Sequence, residues 1–160
     1  MRFLDIPADA LAEPFVVKAI NRGFIEVEGA RVTYRLNTAK EYDWTDPEEW
    51  VRARTVAWLI VERGYPANRM DTEVSVPRRT PNDFADVVIY EDDRCRAPWL
   101  VVENKAAGQA ALARTQGIEQ AFGNANSLRA KYCLYDEWGE SSFYDVAGYA
   151  AMERTSNYRG

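Results

Sequence analysis

A chain of 160 residues, 47% of them hydrophobic and with five Trp and nine Tyr, can build one domain around its own core, which excludes extensive disorder. It contains no histidine, and this removes Ser-His-Asp and Cys-His catalysis, His-bound metals and His-based proton transfer together. The net charge of −5 is opposite in sign to that of most domains that grip nucleic acid unaided, so such a partner must meet a local patch or be delivered by attached parts.

No apolar run approaches the roughly 20 residues of a membrane span, and Met1-Arg2-Phe3-Leu4-Asp5 lacks the apolar centre of a secretory signal. The default expectation is a cytoplasmic protein with no membrane partner. Cys95 and Cys133 have no zinc-ligand spacing around them and read as free thiols of a reducing compartment.

In chain order, residues 5–20 are expected to hold one short helix beginning at 8–11. Alternating runs at 24–28 and 31–36, separated by Gly29-Ala30, predict a β-hairpin. Asp46-Pro47-Glu48-Glu49 is a helix start: Asp46 caps, Pro47 takes the first helical position, and Glu49 completes a capping box. The late part of the helix that follows is apolar nearly all round, so the helix is expected to be well buried, and Gly64 and Pro66 end it. Strands are predicted at 72–76, 85–90 and 99–103, the last two joined through Glu91-Asp92-Asp93-Arg94 as a hairpin. A helix over 110–128, weakened at Gly123-Asn124, precedes two short strands at 131–135 and 142–146. The order implies an α/β domain with a mixed sheet flanked by helices. Residues 1–45 read as a helix and hairpin extension, 46–150 as the core of what is one domain overall, and 151–160 as a polar tail.

The chemistry concentrates at Leu100-Val101-Val102-Glu103-Asn104-Lys105. Side chains alternate along a strand, so Glu103 and Lys105 share a face, about 6.6 Å apart along the chain. Asp86 begins the preceding apolar strand at the end that meets them. Charges at the ends of apolar strands need partners. A Mg2+ ion is one, because it takes one or two carboxylates together with waters and phosphates, and Lys105 would then hold or activate the attacking water. An Asp86–Lys105 or Glu103–Lys105 ion pair is the other. Residue types alone leave both open.

At these residues the chain resembles the PD-(D/E)xK nuclease superfamily. The closer resemblance is to the N-terminal nuclease domain of type I restriction enzyme R subunits and related fused restriction-modification proteins. Four ordered stretches carry it: Asp46-Pro47-Glu48-Glu49-Trp50-Val51-Arg52, Gly64-Tyr65-Pro66, Ala85-Asp86-Val87-Val88-Ile89-Tyr90 and Val101-Val102-Glu103-Asn104-Lys105. The resemblance implies a restriction-endonuclease-like sheet and a Mg2+-dependent DNA endonuclease, with Mn2+ a substitute. Asp86 and Glu103 would bind the metal, joined by the main-chain carbonyl of Asn104, and Lys105 would assist the water. Gln120 matches a helix glutamine of the family, but Asn124 stands where its Gln-x-x-x-Tyr pattern has tyrosine. Glu49 and Glu73 are further acids to weigh, with the capping box the better reading of Glu49. Arg78 and Arg79 are DNA-contact candidates. Partners would be DNA and translocase, methylase or specificity parts. A non-catalytic nucleic-acid-binding or assembly module that keeps the fold is the alternative. An RNA-directed or repair nuclease is a third reading.

Overall fold

The computed structural model describes residues 8–77 and 83–146; Arg78 and Arg79, and the tail, lie outside them. A 3-10 turn at Ala8–Leu11 leads to helix α1, Pro14–Asn21. The expected helix therefore starts later than 8–11. Pro14 sits in its first turn, and the residue before a proline is driven to extended backbone, as Glu13 is with ψ 133°.

The hairpin forms as β1, Ile25–Glu28, and β2, Arg31–Arg35, in the register Val27↔Val32. Gly29 in its turn has φ +59°, a conformation glycine adopts without strain. The hairpin is extended by a strand the composition does not announce: β3, Ala39–Asp43, pairs antiparallel with β2 and completes a three-stranded sheet. Its Ala, Lys, Glu and Asp are poor strand formers, and pairing with β2 overrides that preference.

Helix α2, Pro47–Val61, is capped by Asp46, whose Oδ1 accepts the Glu48 N–H at 3.0 Å. It is buried on almost every side, and Glu49, Arg52 and Thr55 are buried with its apolar residues. Strands β4 (Met70–Val76), β5 (Asp83–Tyr90), β6 (Pro98–Asn104), β7 (Tyr132–Glu137) and β8 (Glu140–Asp145) form a second sheet in the order β4-β5-β6-β7-β8. Its pairings are antiparallel except β6 with β7, which is parallel and crossed by helix α3, Ala111–Leu128. That helix runs unbroken through Gly123-Asn124. The fold is thus the expected mixed α/β architecture with flanking helices.

The central sheet has a core on each side. Val87, Ile89, Leu100, Val102 and Leu134 pack with α2, α1 and the first sheet's Ile25, Val32 and Tyr34. Val88, Val101 and Cys133 pack with Ala121, Phe122 and Ala125 of α3. Each fully buried aliphatic side chain contributes roughly 1.5–3 kcal/mol. Burial on both faces explains why β5 and β6 read as continuous apolar runs that stop only at charged residues. Trp50 is core, as expected, and donates its indole N–H to the Trp44 carbonyl at 2.6 Å.

Candidate active site

The β5–β6 ladder runs through Ile89↔Leu100, Val88↔Val101 and Val87↔Val102. One step further the strands present Asp86 and Glu103 to each other. There the main-chain pairing gives way to a side-chain bond: the Asn104 N–H donates to Asp86 Oδ2 at 2.7 Å. Glu103 is 3% exposed. Its Oε1 lies 3.4 Å from Lys105 Nζ, and its Oε2 is buried without a hydrogen-bond partner among the described residues. Lys105 Nζ is also 3.9 Å from Glu48 Oε1 at the start of α2. The structure thus brings Asp86, Glu103 and Lys105 together, as the alternation of β6 predicts.

Burial pushes Glu103 up to about 9; the Asp86 charge adds to the rise and Lys105 opposes it. Burial likewise pushes Asp86 up to about 6, against the pull of Arg52 and of the Asn104 N–H. Burial alone would lower Lys105, but the Glu103 and Glu48 carboxylates outweigh it and raise it, so its ammonium stays charged.

Arg52, on the second turn of α2, is a member of this site that sequence reasoning missed, because an arginine inside a helix ordinarily reads as a solvated face. It is 6% exposed. Its Nη2 lies 2.5 Å from Glu73 Oε1 and 3.7 Å from Asp86 Oδ1, and its Nε lies 3.3 Å from Glu49 Oε2. The guanidinium also sits 4.5 Å from the centre of the Tyr42 ring.

Glu49 does not close a capping box. Its carboxylate turns inward, where Oε2 accepts the Tyr34 hydroxyl at 2.6 Å, and burial pushes it up to about 7 against the pull of Arg52 and that hydrogen bond. Its side chain is long enough to reach a buried cation, and that pairing outcompetes a local bond at the helix start. Glu73 holds Arg52 from the neighbouring strand with φ +49°, a left-handed backbone that costs a non-glycine residue on the order of 1–3 kcal/mol. The β4–β5 register is continuous on either side of it, at Thr72↔Val87 and Val74↔Ala85.

Gln120 stands one step away. Its Nε2 lies 3.4 Å from Asp83 Oδ1, and the Asp83 charge adds to the field at Glu103. Asn124 is fully buried in α3, and neither atom of its amide has a hydrogen-bond partner among the described residues. Asn104 is buried too, its side chain facing α2, where Nδ2 donates to Thr55 Oγ1 at 3.0 Å.

These donors fit a hard divalent cation. Mg2+ commonly takes only one or two carboxylates and fills its remaining positions with water and phosphate oxygens. Asp86 and Glu103 supply two, and the unpartnered Glu103 Oε2 is an acceptor whose burial a cation would offset. No group of three or more His, Cys, Asp or Glu able to hold a metal ion occurs among the described residues, so the donor set is not that of an all-protein cage.

The fold and site define a class: a mixed α/β domain that carries paired carboxylates and a lysine at the open end of two central strands. The chain matches the model of the type I restriction enzyme R protein N terminus over residues 47–150, more than half its length, and belongs to that family. The membership ties it to the N-terminal part of a restriction enzyme R subunit, a nuclease-related setting. No curated protein matches the chain, and neither does any solved structure. No helix among the described residues is long and apolar enough to cross a membrane.

Proposed function

We propose that the chain is a Mg2+-dependent DNA endonuclease domain of the PD-(D/E)xK kind, working within a larger restriction-modification enzyme, with Mn2+ able to replace Mg2+. One observation carries this: Glu103, 3% exposed and with a buried oxygen that has no hydrogen-bond partner among the described residues, faces Asp86 and Lys105 where β5 and β6 separate. Asp86, Glu103 and the Asn104 carbonyl would hold the ion. When bound, it supplies a Lewis acid for the charge that develops on a phosphodiester during hydrolysis. Lys105, whose side chain is 27% exposed, orients the attacking water and offsets phosphate charge. Arg52 holds Asp86, Glu49 and Glu73 in place from behind. Gln120, with Arg78 and Arg79 outside the described residues, is a candidate for contact with DNA. The partners on this reading are DNA and the translocase, methylase or specificity parts that deliver it.

The test uses the intact protein with those partners supplied. Asp86→Asn, Glu103→Ala and Lys105→Met should each lower Mg2+-dependent cleavage of duplex DNA by about 10²–10³-fold or more. Mn2+ should bind calorimetrically to the wild type and not to Glu103→Ala. Wild-type protein that takes up no Mn2+ and cuts nothing would overturn the proposal in favour of a non-catalytic assembly module, which the charge of −5 favours. Single-stranded DNA and RNA substrates in the same assay separate a DNA nuclease from an RNA-directed one.

A further inference from the structure

We infer that Thr55 and Asp136 are positioning residues that aim the Asn104–Lys105 peptide at the candidate metal site, an inference that rests on reading Asp86 and Glu103 as ligands. Asp136, Thr55 and Asn104 are 5%, 2% and 1% exposed and form a buried chain of hydrogen bonds from β7 through α2 to β6. The Thr55 hydroxyl donates to Asp136 Oδ2 at 2.9 Å and accepts from Asn104 Nδ2 at 3.0 Å. A hydroxyl has one proton. With that proton committed to the Asp136 carboxylate, Thr55 can meet Asn104 only as an acceptor, so the Asn104 amide is held with its NH2 toward α2.

The backbone of Asp136 holds the other end of the same peptide. Its carbonyl accepts the Lys105 N–H at 3.1 Å. The peptide between Asn104 and Lys105 is planar and trans, so its C=O points opposite to its N–H. With the N–H aimed at β7, the Asn104 carbonyl points away from β7, toward the β5 side. That is the side on which the Asn104 N–H meets Asp86 at 2.7 Å. One residue of β7 therefore orients this carbonyl in two ways: by a main-chain bond to Lys105, and through Thr55 to the Asn104 side chain. Neither Thr55 nor Asp136 bonds to the side chains of Asp86, Glu103 or Lys105, so Thr55 acts through the Asn104 side chain, and Asp136 through Thr55 and the Lys105 main-chain N–H.

The test compares Thr55→Val, which keeps the shape but removes both hydrogen bonds, with Thr55→Ser, which keeps them, in the full chain. Mn2+ titration calorimetry is read together with amide hydrogen exchange at Asn104 and Lys105. Thr55→Val should weaken Mn2+ binding by about 10–100-fold, the usual effect of losing a bond that orients a ligand, and should speed exchange at both amides. Thr55→Ser should restore binding. A purely structural role would lower the melting temperature and leave the Mn2+ affinity of the folded protein unchanged. If wild-type protein binds Mn2+, Glu103→Ala abolishes that binding and Thr55→Val matches the wild type, the positioning inference alone is overturned. If the wild type takes up no Mn2+, the nuclease reading fails and this one with it. Should Thr55→Val not fold, Asp136→Asn carries the test, because it keeps the size of the group and removes the charge that fixes the hydroxyl. About tenfold weaker Mn2+ binding is expected, and unchanged binding overturns the inference.

Discussion

Glu103→Gln should make the metal-free protein more stable above neutral pH while removing its affinity for a divalent cation. Glu103 is buried, and one of its oxygens has no hydrogen-bond partner among the described residues. Its ordinary value is 4.5, and burial raises it to about 9 in the fold. Between those limits the folded state keeps a proton that the unfolded state has released, so stability falls as pH rises through this window. One such proton is worth about 1.4 kcal/mol per pH unit, a ceiling of about 4 kcal/mol between about pH 5 and about pH 8. Internal relaxation and water entry reduce this to about 2 kcal/mol, or roughly 4–8 °C in melting temperature for a chain of this size. Glutamine is close to the protonated acid in shape and, like it, is neutral and carries both a donor and an acceptor. The variant should therefore melt with the wild type near about pH 5 and above it near about pH 8, both in chelator. Asp86, raised from 3.8 to about 6, leaves the variant a smaller slope of the same sign over the lower part of the range. Adding metal should reverse the order, since a ligand at about 100 times its Kd stabilises the wild type by about 2.7 kcal/mol and the variant by nothing. Melting curves in chelator that fall equally with pH for both proteins would refute the argument, because the penalty would then not reside in Glu103.

Two further outcomes test the packing around the site. Arg52→Met leaves Glu49, Glu73 and Asp86 without their shared cation and should cost about 3–5 kcal/mol by urea denaturation; a loss below about 1 kcal/mol would show that the carboxylates do not depend on it. Gly117→Ala in α3 should destabilise by about 1–3 kcal/mol despite the better helix propensity of alanine, because the new Cβ would lie 2.5 Å from Cε2 of the Tyr135 ring; a more stable variant would mean that the ring can move aside.

The elements set by strong local signals were legible in the sequence. Asp46-Pro47 opens α2 as its cap and first-turn chemistry predict, and the apolar runs of β5 and β6 form a hairpin that ends where Asp86 and Glu103 begin. Alternation alone placed Glu103 and Lys105 on one face. What escaped depends on contacts between distant segments. β3 is polar and exists because β2 offers it an edge. Glu49 has the spacing of a capping residue, yet Tyr34 and Arg52, from another sheet and the next helical turn, draw it inward. Thr55 and Asp136 are 81 residues apart, and nothing local in either residue announces the bond between them.

The acidity that weighs against nucleic-acid binding is concentrated where the proposed chemistry needs it. Glu48, Glu49, Glu73, Asp86 and Glu103 gather around two cations, Arg52 and Lys105. A phosphodiester approaching that cluster alone meets a repulsive field, whereas a bound dication would reverse the sign of the potential where the phosphate must sit. On the proposed reading, the surplus of carboxylates would make the encounter with DNA depend on a bound metal, and the rest of the surface would have only to accept a strand that other parts deliver. The N-terminal sheet takes part in this arrangement. Tyr34 and Tyr42 precede the matched region, which begins at residue 47, yet they hold Glu49 and cover Arg52. A fragment cut at that boundary would keep Asp86, Glu103 and Lys105 and lose the aromatic wall behind Arg52. The extension thus belongs to the machinery that keeps Asp86 in place.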